Sequence, residues 1–539
     1  MRSRGLAVGA AGIAVTLGAL DAYVVVGVLT DMVRDVGIPV NHLERATPIV
    51  TGYLLGYVAA VPLLGQLSDR FGRRLILQLC LLVFAAGSVL TALAGTVPAL
   101  VGGRLLQGAA GGALLPVTMA LVGDLWAQER RSAALGAIGA AQELGSVLGT
   151  LYGVALATLL NSWRFFENLE PQSWRWIFWV NLPLTLLTMV LIALTVPPAR
   201  VRSEPPIRID LVGGALLAIT LGLLVAGLYN PDPEHTVLPP WGAPCIGAAL
   251  AILLGFRWWE RRSPVRLIDP TGGKLGAFLA IVGIGGLSGS ALMVTLVDVE
   301  LFAQTLLGKD SGSATVLLVP FLLALPVGAL VGGWVVGRLG ERWVAFGGML
   351  IATTGYLLIS RWPVNVLAAR HPAGLPVLPT DLSIAGLGLG LVIAPLSAAM
   401  LRVVPAAQHG IGSAVVVIAR MTGMLIGIAA LTAWGLHRFR VLTATLNTPL
   451  PFGTTKELYE AKLAQYRLNV AAALHSEYSE IFLITAVFCL AGAGLCLMLP
   501  TGAERRPRGR LGHRVRAHPL SRARRSPATL EQRAHHHER

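Results

Sequence analysis

Long apolar runs alternate with short polar segments along most of this chain. Fourteen such runs can be recognised, at 6–29, 47–65, 75–95, 99–122, 134–156, 175–196, 211–229, 241–256, 275–297, 314–336, 343–360, 382–401, 410–436 and 481–499. Most are close to the roughly 20 residues that a helix needs to cross the hydrocarbon core of a bilayer. Because backbone groups in a bilayer must be satisfied within the segment, the runs predict helices. The expected fold class is an all-α polytopic membrane protein.

Composition agrees with the pattern and removes the other classes. Of the 539 residues, 54% are hydrophobic and 13% are charged, and the mean hydropathy is +0.68. A soluble globular chain carries about 25% charged residues. A soluble enzyme, a disordered protein and a fibrous protein are therefore excluded. The four cysteines lie in apolar runs without metal-ligand spacing, so we expect packing roles for them and no metal site.

The positive charges predict an orientation. The net charge is +15, and the loops after every second run hold sixteen Lys and Arg residues against six in the alternate loops. Cytoplasmic loops carry this excess, so both termini are expected in the cytoplasm and the protein in the inner membrane. The basic tail 501–539 is expected to be disordered, with an incidental His535–His537 run. The basic residues indicate orientation and contact with anionic membrane lipids, and no nucleic-acid partner is expected.

An internal repeat divides the chain. Residues 65–74 read GQLSDRFGRR and residues 333–342 read GWVVGRLGER. The pairs matched at a constant offset are Gly65/Gly333, Arg70/Arg338, Gly72/Gly340 and Arg74/Arg342. The repeat predicts a six-helix half at 1–196, two inserted helices at 197–270, and a second six-helix half at 271–500. Such halves are typical of secondary transporters, with the substrate path between them.

The segment GQLSDRFGRR resembles the loop motif of the major facilitator superfamily. Arg104, Gln107 and Gly108 in GRLLQGAAGG resemble its fourth-helix motif, and SWRWIFWVNLPL at 173–184 resembles the sixth helix of the fourteen-helix drug:H+ antiporters. The resemblance implies a cytoplasmic latch between the halves, formed by Gly65, Asp69, Arg70, Gly72, Arg73 and Arg74; simple positive-inside anchoring is the alternative. It also implies a proton-linked Arg104, although an arginine that snorkels to the interface or bonds the backbone remains an alternative.

The fifth helix departs from the antiporters. It reads ELGSVLGTLYG at 143–153 and lacks their prolines. In this respect the chain is similar to the mycobacterial-type triacylglyceride exporters, which work with a lipid-binding lipoprotein. The resemblance therefore implies a lipid substrate and a periplasmic lipoprotein partner.

Three charged residues stand out inside apolar runs, namely Asp21, Glu143 and Arg420. Each costs at least about 2.5–3.5 kcal/mol there, so a function is the first hypothesis. A carboxylate whose burial and cationic partner change during a cycle can carry a proton. We therefore expect Asp21 and Glu143 to couple protons, with Arg420 and Arg104 as ion-pair partners. A static pair that only fixes packing is the alternative. Asp298 and Glu300, at a run's end, are expected to be interfacial and solvated.

Residues 437–480 predict a helical hairpin outside the membrane. No proline occurs from Thr454 to Leu499, a stretch too long for one span. A stripe of apolar side chains is formed by Tyr459, Leu463, Tyr466, Val470 and Leu474, which Phe439, Leu442 and Leu446 could face. Either the stripe only closes the hairpin, or the hairpin guides a lipid or docks a periplasmic partner.

Together these features predict a monomeric, proton-driven exporter of a very apolar substrate, such as triacylglyceride, that works by alternating access. A multidrug:H+ antiporter is the nearest alternative. A membrane-embedded lipid enzyme, for which the sequence lacks a catalytic motif, and a passive scaffold for a lipoprotein are further alternatives. No cofactor is expected, because the proton gradient would supply the energy.

Overall fold

The fold is all-helical over the part of the chain that can be described. The computed structural model describes residues 2–36, 47–126, 131–162, 174–198, 210–228, 230, 238–263, 275–450, 452 and 455–500. Its helices are α1 Arg2–Asp35, α2 Thr47–Phe71, α3 Arg73–Leu93, α4 Val97–Leu125, α5 Arg131–Ser162, α6 Arg175–Thr195, α7 Leu211–Leu228, α8 Gly242–Arg262, α9 Leu275–Thr305, α10 Ser311–Leu317, α11 Val319–Leu339, α12 Glu341–Ile359, α13 Val377–Val403, α14 His409–Thr443 and α15 Lys456–Cys496. The tail 501–539 lies outside the described residues.

Every predicted run corresponds to a helix. Fourteen of the helices, all but the seven-residue α10, have eighteen residues or more. Twelve stretches in the described residues are long and apolar enough to cross a membrane, and they include all of these helices except α2 and α5. The prediction of an all-α polytopic membrane protein is therefore confirmed.

Two large cores lie on either side of the predicted insertion. One is built mainly from α1–α6, and the other mainly from α9 and α11–α15. The two groups meet where α14 packs against α2 and α4, and where α5 packs against α11 and α13. The structure thus places two interfaces, one around α14 and one around α5, where the predicted halves meet.

The repeat recurs in the backbone. Gly72 precedes α3 with φ 90°, and Gly340 precedes α12 with φ 83°. Side chains other than glycine rarely adopt this conformation, so each tight turn needs its glycine. The two turns occupy matched positions in GQLSDRFGRR and GWVVGRLGER.

The inserted helices α7 and α8 pack on each other, and α7 packs on α2. Asp210 fixes this position just before α7 begins. Its backbone N–H donates to Oε1 of Gln66 at 3.1 Å, and its carboxylate accepts from the indole of Trp259 at 2.9 Å. The inserted pair is thereby attached to the first helix group beside the loop motif.

The predicted hairpin consists of the C-terminal end of α14 and the N-terminal part of α15. α15 has 41 residues, which corresponds to roughly 62 Å at about 1.5 Å per residue. It begins at Lys456 rather than Thr454, because the hydroxyl of Thr455 caps its first turn by accepting from the N–H of Leu458. The stripe residues Tyr459, Leu463, Tyr466, Val470 and Leu474 are half-buried, as are Phe439, Leu442 and Leu446 of the facing segment.

A very close helix contact gives the first prediction. A Cβ on Gly108 of α4 would collide with the backbone of Tyr53 on α2, whereas a Cβ on Gly247 of α8 would meet open space. Gly108→Ala should therefore destabilise the fold by about 1–3 kcal/mol through overpacking. Gly247→Ala should be neutral or stabilising, since alanine favours a helix by about 1 kcal/mol. Thermal unfolding of the two purified variants in detergent would show the difference, and equal midpoints would contradict this packing.

Candidate functional site

A buried polar cluster surrounds Asp21 in the middle of α1. Arg104 of α4 donates from Nη1 to Oδ2 of Asp21 at 2.7 Å, and Asn181 of α6 donates to Oδ1 at 2.7 Å. Gln107 of α4 also donates to Oδ1, at 3.2 Å. Asp21 and Gln107 are 0% exposed, and Arg104 and Asn181 are 1% exposed. The carboxylate is thus neutralised and held by three donors from two other helices.

Arg104 does not snorkel to the interface. Its guanidinium lies over the ring of Tyr53, 4.3 Å from the centroid, and the Tyr53 hydroxyl donates to the carbonyl of Gly18 at 3.0 Å. Gln107 links the Arg104 guanidinium to α3 by hydrogen bonds, because its Oε1 accepts from Arg104 and its amide donates to Ser88 on α3. The snorkelling alternative for Arg104 is therefore wrong, since α4 turns this side chain into the helix group.

A second charge pair joins the two helix groups. Nη1 of Arg420 on α14 donates to Oε1 of Glu143 on α5 at 2.6 Å. The side chain of Glu143 is 5% exposed and that of Arg420 is 17% exposed. Of the two candidate partners for Arg420, the structure therefore selects Glu143. Since α5 and α14 belong to different predicted halves, the pair spans the interface along which the halves would separate.

The Arg420 side chain lines an apolar cavity between the helix groups. The cavity has a volume of about 40 Å³ and is bounded by α4, α5, α9, α13 and α14. Most of its wall is Leu, Val, Ile and Met, and the polar lining residues are Gln142, Ser288, Ser397 and Arg420. Oε1 of Gln142 is buried without a hydrogen-bond partner in the described structure. The site therefore offers an apolar volume with one cation and a few polar atoms on its wall.

Tyrosines lie near both buried charge pairs. Tyr53 lies under the guanidinium of Arg104, and the Tyr53 and Tyr57 ring centroids are 6.2 Å apart. Tyr23 and Tyr57 lie close enough to Glu143 and Arg420 to interact electrostatically with them.

The loop motif binds the start of α14. The carboxylate of Asp69 accepts from the backbone N–H of Gly410 at 2.8 Å and of Ile411 at 3.2 Å. Arg73 pairs with Asp69 at 2.6 Å and with Asp124 of α4 at 2.9 Å. We call Asp69, Arg73 and Asp124 the latch cluster, and the end of the bundle that bears it the latch end. The acidic group satisfies free N–H groups at a helix N-terminus, a favourable arrangement for a negative charge.

The other motif residues divide by role. A Cβ on Gly65 would lie 3.1 Å from the carbonyl of Gly410, so this glycine allows the close approach of α2 and α14. Arg70 is exposed and lies over the ring of Phe71, and Arg74 is half-buried. The structure thus brings Gly65, Asp69 and Arg73 to the α2–α14 contact, while Gly72 shapes the turn.

The second repeat forms a weaker counterpart. Gly333 of α11 meets Gly136 of α5 as closely as Gly65 meets Gly410, and Arg402 pairs with Glu341 at 2.7 Å. Gly337 stands where the first repeat has Asp69, so this copy has no side chain there to bind the facing helix. Of the two repeats, the first therefore supplies the charged contact between the two helix groups, whereas the Arg402–Glu341 pair lies within one group.

The expectation that Asp298 is solvated is wrong. It is 7% exposed, and its Oδ2 has no hydrogen-bond partner among the described residues. The reason is that α9 continues to Thr305, beyond the predicted end at 297, and α15 packs along this extension. Glu300, by contrast, is half-buried and accepts from Gln304 at 3.1 Å.

Sequence reasoning missed several members of these sites. Asn181 and Gln142 are buried amides within apolar runs, and a search for all polar residues in runs would have found them. Asp124 and His409 lie at the ends of runs, where polar residues are ordinary. No pattern in the sequence distinguishes those two from solvated neighbours.

Comparisons with known proteins agree on one family. The profile of the Major Facilitator Superfamily matches residues 11–428. A triacylglyceride transporter of Mycobacterium tuberculosis H37Rv is 54% identical over 504 residues, covering 92% of this chain and 94% of that protein. One from Mycolicibacterium smegmatis is 52% identical over 503 residues, covering 92% and 88%. Among solved structures, the human organic anion transporter TETRAN has a TM-score of 0.56 at 17% identity, covering 90% of this chain and 99% of its own. The proton:xylose symporter XylE has a TM-score of 0.56 at 16% identity, covering 90% and 95%.

Proposed function

Since the chain belongs to the major facilitator superfamily of membrane transporters and is not an enzyme, we propose that it exports triacylglyceride or a related lipid from the inner membrane. The export works by alternating access and is driven by the proton gradient. The observation that carries the proposal is the Glu143–Arg420 ion pair, which joins two helix groups at the wall of an apolar cavity.

The cavity supports an apolar substrate. Its lining is mainly aliphatic, which suits acyl chains. A hydrophilic substrate would need several hydrogen-bonding side chains, whereas acyl chains need only apolar surface. The relatives' names point to the same substrate class, because proteins 51–54% identical to this chain are called triacylglyceride transporters.

Glu143 is the proposed proton carrier. In the paired state its carboxylate is held by the Arg420 guanidinium across the interface. A proton that binds Glu143 from the outer side neutralises the carboxylate and removes most of the attraction, so α5 and α14 can separate. Release of that proton to the inner side restores the charge and the pair. One charge that crosses 100 mV supplies about 2.3 kcal/mol.

The latch cluster is the proposed closure at the cytoplasmic side. Asp69 holds α14 through two backbone N–H groups while the halves are together at this end. When the substrate path opens towards the cytoplasm, these contacts must break. The positive-inside pattern supports this orientation and cytoplasmic termini.

The hairpin is proposed to hand the lipid to a periplasmic lipoprotein. Its apolar stripe is half-buried, as the closing interpretation requires. Its tip nevertheless exposes Leu450 by 66% and Phe452 by 83%. Exposed apolar side chains on a polar extension are typical of a contact surface.

Removing the exposed side chains at the tip gives a prediction for this step. Leu450→Ser with Phe452→Ser should lower lipid transfer to an acceptor several-fold and leave proton flux unchanged, because the cavity lies elsewhere. Val364→Ser, 60% exposed in the loop that joins α12 and α13, is the matched control and should keep normal transfer. Transfer from vesicles to a lipoprotein acceptor is the measurement. Normal transfer by the tip variant would remove the hairpin from the delivery step.

Reconstituted vesicles test the proposed function as a whole. Fluorescent triacylglyceride would be placed in vesicles containing the full chain, and its movement to the outer side followed with and without a proton gradient. We expect gradient-dependent movement of triacylglyceride and no proton flux on addition of cationic drugs. Drug-induced proton flux without lipid movement would establish a multidrug antiporter instead. Lipid movement unaffected by the gradient would refute proton coupling.

A further inference from the structure

A histidine of α14 meets the latch cluster from the opposite helix group. Nδ1 of His409 lies 3.6 Å from Oδ1 of Asp124, and the His409 residue is 6% exposed. Gly123 permits this approach, since a Cβ there would lie 2.9 Å from Nδ1. A distance of 3.6 Å is longer than an N–H···O hydrogen bond of about 2.7–3.2 Å. Nδ1 has no hydrogen-bond partner in the described structure, so the contact has room to tighten.

The latch cluster carries one uncompensated negative charge, which a further cation could balance. Asp69 and Asp124 each carry one negative charge, and Arg73 binds both carboxylates with a single positive charge. The cluster therefore has a net charge of −1 when His409 is neutral. A protonated imidazole makes the set neutral and adds an ion pair that crosses between α4 and α14.

Two other effects act on the ring. His409 begins α14, and the positive end of a helix opposes a cation there. Asp69 offsets this effect because it accepts from the N–H groups of Gly410 and Ile411, the next two residues. On the α13 side, Leu401 contacts the same glycine as the ring, and the charge of Arg402 is paired with Glu341. The charged group that contacts the ring is thus the carboxylate of Asp124, at 3.6 Å.

We propose that His409 is a proton-binding positioning residue of the latch, whose protonation fastens α14 to Asp124 and favours the closed latch end. The inference rests on the proposed alternating access, because it requires the halves to separate at this end. It adds a second site at which protons act on the cycle, distinct from Glu143. Acidification on the latch side would hold this end shut, and a neutral or alkaline solution would release it.

Distance measurements across the latch test the inference without any lipid. Spin labels would be placed at Leu75→Cys on α3 and Ala407→Cys before α14, both of which are exposed, in a Cys245→Ser background. The remaining three cysteines are buried. Double electron–electron resonance on the full chain would be recorded from pH 5 to pH 8, the range in which histidine titrates. Asp69→Asn, which weakens the latch, supplies the reference for the separated distance.

We expect the ratio of closed to open latch to rise about fivefold as the pH falls, which corresponds to about 1 kcal/mol. His409→Gln should abolish this dependence, and His409→Arg should favour the closed distance at every pH. His437→Gln, an exposed histidine at the other end of α14, should behave as the parent. An unchanged pH dependence in His409→Gln would overturn the inference alone. A single distance in all variants, including Asp69→Asn, would overturn alternating access and the inference together.

Discussion

Glu143→Gln is expected to reduce gradient-driven lipid movement to the level of protein-free vesicles. The amide has nearly the shape of the carboxylic acid and can still hydrogen-bond Arg420, but it cannot bind and release a proton. The variant therefore mimics the protonated state permanently, and the halves lose the charge attraction between α5 and α14 that drives them back together. Lipid movement and proton flux, measured in the same vesicles, should fall together.

Two variants make this result specific. Glu143→Asp retains the titrating group with a shorter reach and should keep part of the activity. Glu457→Gln removes an exposed carboxylate in the first turn of α15 and should be silent. Gradient-driven transport at the parent rate in Glu143→Gln would show that the pair only fixes packing. In that case another group must carry the proton.

The helices could be predicted from the sequence because hydrophobicity alone determines them. Each of the fourteen runs is a helix in the structure, and the turn at Gly72 recurs at Gly340. The buried charges Asp21 and Glu143 were also identified, since a charge in an apolar run is costly enough to require an explanation. These features depend only on the local sequence, so each segment of about 20 residues is enough to predict them.

The pairings could not be predicted, because they depend on how each helix is rotated about its axis. Arg104 and Arg420 are both arginines in apolar runs, and only the packing of α4 against α1 directs Arg104 to Asp21. The exposure of Asp298 could not be predicted for a related reason. The end of an apolar run indicates where the membrane ends, whereas α9 continues beyond that point and buries Asp298. The contact of His409 with Asp124 joins residues 285 positions apart, and neither is unusual in its local sequence.

Among the ion pairs described above, Asp21–Arg104 should contribute the most to the free energy of unfolding. Both side chains are almost completely buried, and removal of one partner from a buried pair costs about 3–5 kcal/mol. Asp21→Asn should be the more damaging substitution, because the guanidinium cannot lose its charge. Arg104→Gln should cost less, because Asp21 keeps Asn181 and Gln107 as donors and can be neutralised by a proton. Thermal and denaturant unfolding in detergent would measure both.

The double variant separates a structural brace from a proton carrier. Asp21→Asn with Arg104→Gln removes both charges and leaves four amides able to hydrogen-bond each other, so most of the lost stability should return. If the cluster only braces α1, α4 and α6, this variant should regain gradient-driven lipid movement together with its stability. If Asp21 carries a proton, the variant should be stable and inactive. We expect the first outcome, because Arg104 and the two amides hold Asp21 within one helix group, whereas Glu143 meets its partner across the interface that must open. A stable double variant without transport would instead place Asp21 beside Glu143 in the proton path.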